Sequence, residues 1–236
     1  MEINGTMSET HPQSHRLDRR FVLFLACFYA AWSLRVVLLM PVDAYIENEW
    51  IQQCWSQGLR LTIWVLPLLI YIKKTETETL VQFLRLNTFP QGKSLLAGSG
   101  IITGFLCLCV MSALFLQGGS ISNIFDLTPY RWGMLLTTMS FICIVEEIFY
   151  RGFVFRKLRE ISSFHKANLI TTILFLLIHM PGWLYMQGPH WGLISLGAGI
   201  VIVGWVLGWL VEITNSLWPP IFLHVLNNLA SVLLLP

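Results

Sequence analysis

The sequence predicts an all-α fold, a polytopic bundle of about seven transmembrane helices, on three observations. Hydrophobic residues make up 55% of the 236-residue chain and charged residues only 12%, about half the charged share of an ordinary soluble domain. The apolar residues come in runs of roughly 18 to 24 rather than in stripes, and about 20 residues of helix cross the hydrocarbon core of a bilayer. Lysine and arginine gather in alternate connections between these runs, which is the bias that orients membrane helices.

Taken in order, residues 1–20 are polar, close on Arg16, Arg19 and Arg20, and read as a cytoplasmic tail. The run at 21–40 is longer than a signal-peptide core and lacks a small-residue cleavage site, so it is expected to be a retained first span. Further spans are expected at 59–72, which is short, then at 95–117, 132–155, 168–187, 191–211 and 216–235. Residues 73–94 form the main polar connection and are expected to hold an interfacial amphipathic helix ahead of Pro90 and Gly92. Residues 21–236 thus read as a single transmembrane domain.

Orientation follows from charge. Arg16, Arg19 and Arg20 precede the first span; Lys73, Lys74, Arg85 and Lys93 lie between the second and third; Arg151, Arg156, Lys157, Arg159 and Lys166 lie at the end of the fourth and before the fifth. These are twelve of the fifteen basic residues. The intervening connections carry Asp43, Glu47, Glu49 and Asp126, with Arg60 and Arg131 as cations at helix edges. The N-terminus is therefore placed in the cytoplasm and the C-terminus on the opposite side, with Arg35 snorkelling near the outer end of the first span. Trp50, Trp55, Trp132, Trp191 and Trp218 fit interfacial belts. The net charge of +2 gives no nucleic-acid surface. Cys27, Cys107, Cys109 and Cys143 lie in apolar runs and Cys54 in a polar loop; without a CxxC pattern they carry no assigned chemistry.

Ionisable side chains inside spans are costly and mark function. Here they cluster: Glu146, Glu147 and Arg151 in the fourth span, His179 in the fifth, His224, Asn227 and Asn228 in the seventh. At about 1.5 Å of rise per residue, Glu146, His179 and His224 lie about 15, 16 and 12 Å from the cytoplasmic helix ends. One shared polar cavity, entered from the cytoplasmic side, is the expected arrangement. Glu147 and Arg151 are four apart and can pair, which leaves Glu146 without that partner and suits it to act as a general base on water. His224 and Asn228 share a helix face, while Asn227 points about 100° away. His190, in a polar loop, and His11, His15 and His165, in flanking segments, lack such company.

Three spaced patterns occur in order on successive late helices: EExxxR at Glu146, Glu147 and Arg151, FxxxH at Phe175 and His179, and HxxxN at His224 and Asn228, with Gly152 following the arginine. Over roughly residues 130–235 this resembles the CAAX-protease and bacteriocin-processing family of intramembrane endopeptidases, which includes the Ras-converting CAAX proteases. The resemblance implies a catalytic core at about 130–235. It also implies water activation by Glu146 with His179, oxyanion stabilisation by His224 and Asn228, and a supporting role for Glu147 and Arg151. The implied substrate is a membrane-associated protein or peptide, and a prokaryotic cell membrane is the expected setting. No cofactor is expected; the alternative is zinc held by Glu146, His179 and His224. Serine-type chemistry has no histidine coupled to the GSG at Gly98–Gly100, and aspartyl chemistry finds Asp43 and Asp126 only in outer loops. Two non-proteolytic readings stay open: a transporter or ion-binding protein using the same glutamate and histidines, and a binding-only immunity or scaffold protein.

Overall fold

Six helices long and apolar enough to cross a membrane, and a shorter apolar one, make up the computed structural model, which describes residues 18–116, 118–120 and 128–234. The tail up to residue 17, with His11, His15 and Arg16, position 117 of the expected third span, Asp126 and the last two residues lie outside the described residues. The helices are α1 (Arg19–Asp43), α2 (Glu49–Thr75), a short α3 (Leu80–Phe83) and α4 (Gly92–Leu116). There follow α5 (Tyr130–Arg159), α6 (Phe164–Gln187), α7 (Gly192–Thr214) and α8 (Trp218–Leu234). The polytopic helical architecture expected from the sequence is therefore observed.

Helix boundaries follow local capping chemistry. Asp18, Asn48 and Thr128 accept hydrogen bonds from the first free amides of α1, α2 and α5, which would otherwise be unsatisfied. The Asn48 cap corrects the second span. It begins at Glu49 rather than 59, because the polar run to Arg60 is helical, and Cys54 lies in that helix and not in a loop. The expected interfacial helix shrinks to α3, closed by a Thr79–Gln82 capping box. Its Phe83 is buried against the bundle, and the guanidinium of Arg156 lies 4.3 Å from that ring. At the far end of α7, Asn215 takes the left-handed conformation, with φ 51°, a usual helix stop.

Two helices change register beside the polar cluster. Leu61–Val65 in α2 and Ile148–Phe155 in α5 are π-helical. In α2 the wide turn precedes Pro67, which has no amide hydrogen to continue the α-helical ladder, and the Leu66 amide reaches back to the Leu61 carbonyl instead. Such segments are frequent at functional sites. One follows directly on Arg60, the other on Glu147.

The α6–α7 contact relies on small residues. A Cβ on Gly208 would lie 1.9 Å from Asn168 Oδ1, and one on Gly204 would lie 3.1 Å from Thr172 Cγ2. The glycines thus admit two polar side chains of α6, as small-xxx-small faces do in membranes. Asn168 Nδ2 donates to the Trp205 carbonyl at 3.0 Å. At the basic end, Arg156–Glu78 (2.9 Å), Lys157–Glu76 (3.0 Å) and Arg159–Glu212 (2.8 Å) tie α5 to the α2–α3 connection and to α7.

An aromatic core fills the bundle between that end and the polar cluster. Phe28 stacks on Phe149 at 4.0 Å, and Trp64, Tyr150, Phe153 and Phe175 complete the block. All six are buried. Tyr29 joins α1 to α5 and α6 through the Tyr150 hydroxyl (3.1 Å) and the Leu174 carbonyl (2.5 Å).

Candidate active site

Glu146 and Glu147 are successive residues at the junction where α5 turns π-helical. They face different partners. Glu147, fully buried, accepts from Arg151 Nη1 at 3.1 Å and from His224 Nδ1 at 2.8 Å, both on the same oxygen, Oε1. Arg151 is further held by the Gly204 carbonyl (3.1 Å) and lies over the Phe175 ring (4.4 Å). With Nδ1 engaged by Glu147, His224 presents Nε2 to Glu146 Oε2, 3.8 Å away. Glu147 therefore orients a histidine of another helix, as second partners of functional imidazoles do.

Glu146 has a partner that helical spacing on its own span could not reveal. Arg60 of α2 donates to Glu146 Oε1 at 3.1 Å, with both side chains largely buried. The expectation that Glu146 stands unpaired is thus corrected: the cation comes from a distant helix, delivered by the π-helical turn after Arg60. The guanidinium also lies 5.3 Å from the Trp32 ring and 5.7 Å from that of Trp64, a cation–π setting that partly offsets its desolvation. Arg35 departs from expectation too. It is buried and bound to Asp43 at 2.6 Å and to Ser56 at 3.3 Å, instead of snorkelling.

His179 Nδ1 lies 2.7 Å from the Phe175 carbonyl. A carbonyl can only accept, so Nδ1 carries the proton and Nε2 is left as an acceptor. Glu146 and His179 line one cavity of about 190 Å³, together with Trp32, Arg35, Arg60, Trp64 and Trp183. That is room for several waters at about 30 Å³ each, but not for a folded substrate. His224 packs edge-on against Phe175, the ring that His179 also touches. Asn228 lies one turn beyond His224 and donates to Cys143 Sγ of α5 at 3.4 Å, whereas Asn227 faces Cys109 of α4 and Asn228 itself. Glu146, Glu147, Arg151, His179 and His224 are thus brought together, and Asn228 sits at the edge of the group. His190 pairs with Gln187, and His165 stacks on Trp205, both away from it.

The cavity lies toward one end of the bundle. Its walls come from the C-terminal half of α1 (Trp32 to Met40), the N-terminal half of α2 (Ser56 to Trp64) and the C-terminal half of α6 (Ile178 to Met186). Those ends lie away from the basic clusters. Trp64, one of its walls, is buried against Phe149 and Tyr150.

The donors do not assemble as a zinc site. Among the described residues no three His, Cys, Asp or Glu side chains are grouped to hold a metal ion. One Glu146 oxygen is already taken by a guanidinium, and a cation there opposes a second one.

Fold and site together define a class: a multi-pass integral membrane protein with a buried carboxylate–imidazole cluster beside a water-sized cavity. Within that class, residues 128–230 match the family model of the type II CAAX prenyl endopeptidases, Rce1-like. The resemblance carried by the three motifs is therefore borne out over the segment that contains them. No curated protein and no solved structure matches significantly.

Proposed function

We propose that the chain is an intramembrane endopeptidase in which Glu146 and His179 activate water without a metal ion, acting on a membrane-associated protein or peptide. The observation that carries this is the shared cavity: a carboxylate and an imidazole acceptor from different helices face one water-sized space. Water held by His179 Nε2 loses a proton to Glu146, and its oxygen adds to the scissile carbonyl carbon. The resulting oxyanion is met by His224 Nε2 and by the Asn228 amide. The proton on Glu146 then passes to the leaving nitrogen as the C–N bond breaks. Glu147 and Arg151 hold His224 in place, and Arg60 keeps the Glu146 carboxylate oriented.

A transporter built on the same residues would move a cation through this site and cleave nothing. Reconstituted vesicles test the choice. The parent is expected to cleave a membrane-tethered peptide with no cation flux, and His179→Ala to lose cleavage. Cation flux that disappears in His179→Ala, with no product detectable by mass spectrometry, would replace the protease with a transporter.

A further inference from the structure

One buried thiol beside the polar cluster has no part in the water-activating chemistry. Cys143 lies on α5 about one turn before Glu146 and Glu147 and is fully buried, so the three side chains share one face of that helix. Its sulfur accepts from Asn228 Nδ2 at 3.4 Å and lies beside His224. The other end of the same amide is held as well, because Asn228 Oδ1 accepts from Asn227 Nδ2 at 3.3 Å. A primary amide is planar and carries two hydrogens on its nitrogen. With the oxygen fixed by Asn227 and one hydrogen directed at Cys143, the direction of the second hydrogen is set. Among the described residues Asn228 Nδ2 donates to Cys143 alone, so that second hydrogen is left for a substrate atom.

We infer that Cys143 is a positioning residue, which aims the Asn228 amide at the oxyanion. The inference rests on the protease reading above and adds a residue to it. Two contacts between α5 and α8 have the same form: Glu147 holds His224 at 2.8 Å, and Cys143 holds Asn228 at 3.4 Å. Cys143 and Glu147 are four residues apart, as are His224 and Asn228, and the pairs run in opposite order, as antiparallel neighbouring helices require. One register of α5 against α8 therefore aligns both donors. A thiol suits the second position because sulfur is a weak acceptor. It orients the amide without competing strongly for the hydrogens that a developing negative oxygen must attract. Cys143 touches neither water nor substrate in this scheme and acts only through Asn228.

Kinetics of the full chain in reconstituted vesicles test this through a split that simple loss of packing does not produce. Cys143→Ala is expected to lower kcat about tenfold with KM little changed, less than the roughly 10²–10³-fold cost of removing an oxyanion donor outright. Cys143→Ser, which restores an acceptor at that position, is expected to recover most of the loss. In an Asn228→Ala background, Cys143→Ala should cost nothing further. An equal fall in kcat with and without Asn228, or a serine variant no better than alanine, overturns the inference. A second readout needs no activity: with asparagine side chains labelled with nitrogen-15, the amide resonances that vanish in Asn228→Ala should shift in Cys143→Ala. Unmoved resonances overturn the inference whether or not the parent cleaves. Shifted resonances together with no cleavage by the parent would leave the Cys143 contact standing and sink the protease reading alone.

Discussion

Arg60 shows how a single side chain recasts the site. Its ion pair with Glu146 is buried, and removing one partner of such a pair costs about 3–5 kcal/mol because a charge is left without compensation. Arg60→Met should therefore lower stability in detergent by about that much, read from thermal unfolding. Combining it with Glu146→Gln, which removes the stranded charge, should recover most of the loss. If the double variant is no more stable than Arg60→Met, the pair does not hold the site as described. Activity gives a second readout: Arg60→Lys should keep much of the parent kcat, whereas Arg60→Met lowers kcat with KM little changed. Arg60 escaped sequence reasoning because it sits between a polar stretch and an apolar run, where a hydropathy window reads a helix edge. The polar run before it contributes one face of a long helix, and only the tertiary structure shows that this face meets α5. Glu147 with Arg151 was legible, since four-residue spacing within one helix is a local property. The link from Glu147 to His224 required two helices to be placed side by side.

Helix packing decides whether those side chains meet. α6 carries His179, and α7 holds Arg151 through the Gly204 carbonyl. The seam between them depends on Gly204 and Gly208. Gly208→Leu forces a side chain into the space of Asn168 and should destabilise the fold by about 1–3 kcal/mol, with activity falling through misplacement of α6. Unchanged thermal unfolding in that variant would show that the seam is looser than the contact distances indicate. Most span positions were legible from apolar runs because burial in lipid demands them. The start of α2 was not, since Gln52, Gln53, Ser56 and Gln57 resemble a loop in composition and declare themselves helical only through the Asn48 cap. The π-helical turns were equally hidden. Pro67 is a local hint of one, but hydropathy carries no signal for a change of hydrogen-bond register.

At the scale of the whole molecule, basic residues gather at one end of the bundle, and the cavity beside the buried polar cluster is walled by the helix halves nearer the other. Charge was legible in the sequence, because each residue's sign is fixed whatever it packs against. The place of the cavity was not, since every span is rich in large apolar residues and only their packing shows where space is left. The same assembly bears on cofactor chemistry: with a guanidinium on Glu146 and Glu147 Oε1 shared between Arg151 and His224, strong zinc chelators should leave kcat unchanged after exhaustive dialysis. Loss of activity that added zinc restores would contradict metal-free water activation.

The most direct test is the turnover of Glu146→Gln, a near-isosteric change that removes the base while keeping the side-chain volume. In purified, reconstituted protein it should bind a membrane-tethered substrate as the parent does and cleave it about 10²–10⁴-fold more slowly, the range expected when a general base is lost. Cleavage at the parent's rate would show that the glutamate is not the group that activates water.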